Sequence, residues 1–294
     1  MKNKRVVIRL TGGLGNQLHQ YAYGCLVAKK INADLYLDVQ FLINYSNKLK
    51  ITKRDIELNK FDLNLKYKYY KSIFSNHLFL RIIKKIKLIS FILEIFKTTV
   101  VTKHKPIDEL NLKKWDFIYV DGIIGNFDDY KNDVEYLRDV LKINKEFDEL
   151  VQIIENKVKT KESVAIHVRR SDYIKEGSIH HVLDMDYYLK AIEFFENQFE
   201  NPVFYVFSDD REFIEKTFKA KNIRILEYSG LNPDFFDFLS IKNCNNQIIA
   251  NSTFSWWAAF LNGSQNGKII APSVFLKTEE LDIKLTYPEN WIVI

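Results

Sequence analysis

Short apolar runs rich in β-branched residues alternate with helix-length patterns along most of this chain. The opening set is Val6–Leu10, a helical pattern from about Gln17 to Ile31, and Leu35–Val39, which predicts a βαβ start. From about 44 to 114 the alternation fades into a Lys-, Tyr- and Asn-rich stretch with KYKYYK at 66–71, and a mostly helical insertion is expected there. A strand returns at Phe117–Val120, followed by helical patterns over Val134–Leu141 and Phe147–Lys159. The polar stretch KVKTKES at 157–163 marks the expected boundary between a domain 1–160 and a domain 161–294. Beyond it, strand runs at Val164–Val168, Val203–Phe207, Ile223–Leu226, Gln247–Ala250 and Lys268–Ala271 enclose helix patterns at Asp186–Phe199, Arg211–Phe218, Pro233–Lys242 and Phe254–Leu261. That order predicts an α/β fold with a parallel, doubly wound sheet, in which ligands sit beyond the carboxyl ends of the strands. Polar clusters gather at three of those ends: His167–Asp172, Ser208–Asp210 and Asn251–Ser255.

Composition narrows the class. With 294 residues and 47% hydrophobic content the chain can bury a core in each of two domains, and ten glycines and five prolines argue against disorder. A net charge of +5, with basic and acidic residues interleaved, gives no footprint for nucleic acid. Cys25 and Cys244 lie far apart without metal-ligand spacing and read as reduced packing residues. The first apolar run is too short for a signal sequence, so a cytoplasmic site of action is expected. The segment 78–96, LFLRIIKKIKLISFILEIF, is apolar but carries Arg81, Lys84, Lys85, Lys87 and Glu94, which excludes a membrane span. Arg81, Lys84 and Lys85 share one helical face; the segment reads either as a core-facing helix or as a basic amphipathic helix in peripheral contact with an anionic inner leaflet.

Three motifs carry candidate chemistry. HVRRSDY at 167–173 follows the run Val164–Ala165–Ile166 and aims two guanidiniums from a strand end. Planar, permanently charged forks match phosphate oxygens two at a time, so Arg169 and Arg170 suggest a pyrophosphate; the plainer reading is a surface ion pair between Arg170 and Asp172. TGGLGNQLHQYA at 11–22 follows the first strand; Gly12, Gly13 and Gly15 permit a tight turn, and the next helix offers N–H groups to an anion. It matches neither the Walker A loop nor the dinucleotide fingerprint, since Asn16, Gln17 and Leu18 stand at the diagnostic positions. IIANSTFSWWAAFL at 248–261 opens a helix with Asn251, Ser252 and Thr253. One hydroxyl there is expected to cap the helix, Ser252, Thr253 and Ser255 to receive phosphate oxygens, and Trp256 and Trp257 to pack in the core.

These three stretches and FSDD at 207–210 resemble, in order and spacing, glycosyltransferase family 11, the α-1,2-fucosyltransferases of bacteria and animals. The resemblance runs from Val6 to about Pro272; the departures are Ser171, where many members have glycine, and His19, where phenylalanine is usual. It implies a GT-B-like fold of two Rossmann-like domains with a cleft between them, an acceptor-side domain first and a GDP-sugar-binding domain second. It also implies GDP-L-fucose as donor substrate, inversion at the transferred carbon, and no metal or other cofactor. A galactose-terminated oligosaccharide or glycolipid, as a lipopolysaccharide or other surface-glycan precursor, is the implied acceptor.

On that reading the donor contacts are expected from Gly13, Gly15, Asn16, Gln17, His167, Arg169, Arg170, Asp209, Asn251, Ser252, Thr253 and Ser255. Arg169 is the leading group for leaving-phosphate stabilisation, with Arg170 orienting Asp172 or the loop. Asp209 or Asp210 suits the ribose or the guanine edge, unless it caps the helix at Arg211. Asp172 and Glu176 head the candidates for the base, with His180, His181 and Asp128 behind them; a strongly oxocarbenium-like transition state would need no base. Asp128 and Tyr130, in GNFDDY at 125–130, are expected to face the acceptor. Asp184–Met185–Asp186 has the form of a metal-binding D-x-D but the position of a helix N-cap. The competing readings are a transferase for another GDP-sugar or acceptor, and a GDP-sugar-binding protein without turnover.

Overall fold

The first apolar run forms strand β1 (Arg5–Arg9), which leads through the glycine turn into helix α1 (Leu14–Ile31) and strand β2 (Asp34–Asp38). The computed structural model describes residues 3–45, 54–63, 71, 73–76, 79, 82, 92–122, 125–158, 160–170, 173, 182–275 and 283–294. They divide into two compact units, Met1–Asn144 and Lys145–Ile294.

In the first unit, strands β3 (Thr98–Val101) and β4 (Phe117–Asp121) complete a parallel sheet of order β2-β1-β4-β3. β1 has neighbours on both sides, so Val6, Val7 and Ile8 are fully buried. Helix α1 is buried around most of its circumference, and Gly24 lets it lie against β1: a Cβ there would come within 2.3 Å of Ile8 Cγ1. α1 stops at Asn32, whose left-handed backbone returns its N–H to the carbonyls of Ala28 and Lys29. β3 falls inside the stretch expected to be mostly helical. Its four β-branched residues pair with β4, and the described remainder of that stretch consists largely of loops and single helical turns. After β4 come α2 (Phe127–Tyr130), closed by a reciprocal Asn126–Asp129 capping box, and α3 (Val134–Val140).

The second unit begins with α4 (Asp148–Val158), a helix whose pattern preceded the boundary expected from sequence. Phe147, just before it, meets the Phe235 ring edge-on at 4.8 Å, and the Lys157 carbonyl accepts from Tyr205 Oη at 2.8 Å. There follow β5 (Ser163–Val168), α5 (Met185–Glu196), β6 (Val203–Ser208), α6 (Arg211–Thr217), β7 (Ile223–Arg224), α7 (Pro233–Asn243), β8 (Asn246–Ile248), α8 (Thr253–Phe260), β9 (Ile269–Ala271), α9 (Ile283–Thr286) and β10 (Ile292–Val293). All six strands are parallel, in the order β10-β9-β8-β5-β6-β7; β10 is one strand more than the sequence pattern predicted. Trp256 and Trp257 are buried as expected, and Cys25 and Cys244 are buried free thiols, the former pushed up to about 12 by burial. Among the described residues no helix is long and apolar enough to cross a membrane.

Candidate active site

The order of the second sheet fixes where a ligand belongs. From β5 the chain proceeds to β6 and β7 on one side, then returns to β8, β9 and β10 on the other, so the topological switch point lies between β5 and β8. Side chains and helix N-termini diverge there and leave a crevice at the carboxyl edge. The three polar clusters follow β8, β5 and β6, which are adjacent strands, and the sheet therefore brings them side by side.

Arg169 and Arg170 extend β5 into this edge. Their partners come from β6, the neighbouring strand in register, where Val168 pairs with Ser208. Asp209 accepts the Arg170 backbone N–H through Oδ1 at 3.0 Å, and its Oδ2 lies 3.3 Å from Arg169 Nη1. Asp210 caps α6 by accepting the Phe213 N–H at 3.1 Å, with Oδ2 3.5 Å from Arg170 Nε. The Arg170 guanidinium lies 3.8 Å from the centroid of the Phe213 ring. Both arginines are thus held by carboxylates and aromatic faces while keeping about a quarter of their side-chain surface exposed. Asp209 anchors the fork.

His167, one residue inside the strand end, is buried against the Phe254 ring at 5.5 Å, and burial lowers its pKa to about 3, so it is neutral. Its Nδ1 has no hydrogen-bond partner among the described residues. The N-terminus of α8 is capped by Ser252, whose Oγ accepts the Phe254 N–H at 3.3 Å. Asn251 Nδ2 donates to the Phe275 carbonyl, and the Asn251 carbonyl accepts from Tyr173 Oη. Ser255, expected at the phosphates, is fully buried and its hydroxyl turns back to the carbonyls of Ala250 and Ser252 at 3.4 Å. Ser252 and Thr253 stand at the N-terminus of α8, the end of a helix that favours an anion.

The first unit repeats the logic. Its switch point lies between β1 and β4, where the glycine turn follows one strand and Gly122 the other. Gly12 has φ +74°, and a Cβ there would meet Asn16 Nδ2 at 2.5 Å, so only glycine fits this turn beside Asn16. Gln20 ties the two strand ends together: Oε1 accepts the Thr11 N–H at 2.9 Å, and Nε2 donates to Thr11 Oγ1 at 2.8 Å and reaches the Gly122 carbonyl at 3.5 Å. Gly13 occupies the N-cap of α1 and Gly15 its first turn. Gln17, expected at the nucleotide, is fully buried with its amide engaged by backbone groups, so it shapes the loop instead. Tyr130 is likewise removed from any acceptor: it is fully buried, with Oη 3.0 Å from Nδ1 of the buried, neutral His19. Asp128 pairs with Lys131 at 2.5 Å.

Beside the turn, Arg9 stands in register between Asp38 on β2 and Asp121 on β4. It forms a buried ion pair with Asp121 and lies 5.0 Å from the Phe41 ring centroid, while Asp38 accepts from Tyr119 Oη at 2.7 Å and from the Gln40 N–H at 3.0 Å. Arg9 Nε and Nη1 have no hydrogen-bond partner among the described residues.

One candidate escaped the sequence reading. Asp237 lies on α7 between Phe236 and Phe238, and Phe238 meets Phe254 at the start of α8. Burial raises its pKa to about 7, helped by the charge of Asp234 and opposed by Arg211. A carboxylate within the apolar run FFDFL was the available signal, overlooked because that run read as a plain helix. Asp184 caps α5 by accepting the Tyr187 N–H at 3.2 Å, the alternative to D-x-D that its position suggested. Asp172, Glu176, His180 and His181 lie outside the described residues.

Two Rossmann-like units, each with a polar switch point and one with a fixed arginine fork, define a GT-B-like glycosyltransferase. The chain belongs to glycosyl transferase family 11, whose model matches residues 5–294. It is 31% identical over 300 residues to an alpha-1,2-colitosyltransferase of Escherichia coli, covering 98% of each chain. It is 30% identical to the O-antigen biosynthesis glycosyltransferase WbnK of Escherichia coli, over 96% of this chain and 98% of that one. Its fold is similar to the crystal structure of the fucosyltransferase NodZ from Bradyrhizobium, with TM-score 0.56 at 11% identity over 89% of this chain and 94% of that one.

Proposed function

We propose that this protein is an inverting α-1,2-fucosyltransferase that moves L-fucose from GDP-β-L-fucose to the 2-hydroxyl of a terminal β-galactoside in an O-antigen or related surface-glycan precursor. The observation that carries this reading is the Arg169–Arg170 fork at the switch point, beside the α8 N-terminus. In the proposed step the acceptor O2 attacks C1 of fucose from the face opposite the nucleotide. The C1–O bond to the β-phosphate breaks, and the electron pair leaves on that phosphate oxygen. Arg169 neutralises the developing charge without a divalent metal, and the acceptor proton passes to a carboxylate or to the departing phosphate. GDP release from GDP-fucose, stimulated by lactose, N-acetyllactosamine or galactosyl-β-1,3-N-acetylhexosamine and persisting in excess EDTA, tests it. A requirement for added Mg²⁺ or Mn²⁺ would reject the metal-free step.

The E. coli relative named as a colitosyltransferase favours a second reading, transfer of colitose, which lacks the 3-hydroxyl of fucose. Parallel assays with GDP-fucose and GDP-colitose separate the two by kcat/KM.

Asp237 is assigned to the guanine edge, where an ionised carboxylate accepts from N1–H and the N2 amino group. Because its pKa sits near 7, the ionised form that binds is lost as pH falls through that value. Affinity for GDP-fucose, whose doubly esterified diphosphate lacks the titrating terminal phosphate, should therefore weaken from pH 8 to pH 6 in the native protein when measured by calorimetry without acceptor, and stay flat in Asp237→Asn. An unchanged pH profile in that variant would assign the base contact elsewhere.

The reading places the enzyme in the cytoplasm, in peripheral contact with the inner membrane through the segment 78–96, of which Arg81, Lys84, Lys85 and Lys87 lie outside the described residues. The exposed Ile92, Ile95 and Phe96 next to Lys97 support this. Cosedimentation with phosphatidylglycerol vesicles, lost in the double variant Ile95→Ser, Phe96→Ser, is the expected result; equal binding to neutral vesicles would refute the charge component.

A further inference from the structure

Gln17 joins three stretches of chain that are remote from one another. Nε2 donates to the Gly12 carbonyl at 2.9 Å and to the Asp55 carbonyl at 2.8 Å, and Oε1 accepts the Glu57 N–H at 2.9 Å. Both amide donors are spent on main chain, in a fully buried side chain one helical turn from the glycine motif. The residues it grips belong to the strap 54–61, whose second half is secured independently. Leu58, Lys60 and Phe61 are buried, the Lys60 carbonyl accepts the Asn144 N–H, and Phe61 bridges to Ile143. The first half, by contrast, is tied at Asp55 and Glu57 through Gln17. Asp55 itself is exposed, and its carboxylate has no partner among the described residues, unlike Glu57, which pairs with Lys60.

We infer that Gln17 is a positioning residue that locks 54–57 against the glycine turn, and that Asp55 on this strap accepts hydrogen bonds from hydroxyls of the acceptor sugar. This rests on the proposed glycosyl transfer and names acceptor-binding residues for it. The chemistry is that of a carboxylate facing adjacent sugar hydroxyls, and a strap already fixed by buried backbone bonds loses little freedom when the sugar binds.

The test uses the full chain and whichever of the three galactosides most stimulates GDP release. Asp55→Ala should raise the acceptor KM by roughly tenfold to a hundredfold, the loss of a charge-assisted hydrogen bond, with GDP affinity by calorimetry unchanged. Gln17→Met, which fills the same space without the amide, should raise the same KM and increase hydrogen exchange across 54–58. An unchanged acceptor KM in Asp55→Ala, or a loss of GDP affinity instead, overturns the acceptor contact. Unchanged exchange in Gln17→Met overturns the clamp. Failure of the underlying transfer reading looks different, since no galactoside would then stimulate GDP release by the native protein, while the exchange measurement would still decide whether Gln17 holds the strap.

Discussion

Replacing Arg169 by alanine is expected to lower acceptor-stimulated turnover by a factor of about 10²–10³, the typical cost of removing one fixed donor from a developing charge. The Asp209 carboxylate holds Arg170 by its backbone and Arg169 by its guanidinium, so the fork is set before any donor arrives. Preorganised charge acts most strongly where it forms, on the leaving β-phosphate, and less on the intact diphosphate. The rate should therefore fall more than the affinity for GDP-fucose. Arg169→Lys restores charge but not the planar fork and should recover only part of the rate. Steady-state kcat beside calorimetric donor affinity is the measurement; equal losses in both would mean that Arg169 binds ground state and transition state alike.

The second large effect is on stability. Asp121→Asn should destabilise the first unit by about 3–5 kcal/mol, because it leaves the Arg9 guanidinium buried without its counter-charge. Arg9 and Asp121 are at most 9% exposed in their side chains, and two Arg9 nitrogens already have no partner among the described residues, so little compensation is at hand. Denaturant unfolding of the single variant should show the loss, and the double variant Arg9→Met, Asp121→Leu should recover most of it. No loss in the single variant would mean that water reaches the pair, and no recovery in the double variant would mean that the loss is not one of charge pairing.

How much of this was legible in the sequence varied with the kind of contact. The runs Val6–Leu10 and Val164–Val168 announced strands, and the sheet order makes both central and buried on two faces. β3 was hidden because Thr98–Val101 sits in a Lys-rich stretch, and only its pairing with β4 makes it a strand. The arginine fork and its position at a strand end were readable. Its pairing with Asp209 was not, since it depends on β5 and β6 lying in register and bringing together Arg170 and Asp209, 39 positions apart. Side-chain direction was the other blind spot. Gln17, Ser255 and Tyr130 belong to polar motifs, yet each points into the main chain or the core, and nothing in residue type separates them from Asn16 or Ser252. Asp237 was missed for the converse reason, a charged residue inside an apolar helical run.

The most direct test of the central claim is the structure of the product. The protein, GDP-β-L-fucose and the galactoside that best stimulates GDP release would be incubated together, and the purified product examined by NMR. An α-anomeric fucose with a through-bond correlation from its C1 to galactose O2 is the predicted result. A β-fucoside, a linkage to another hydroxyl, or free fucose with GDP as the sole products would contradict the account.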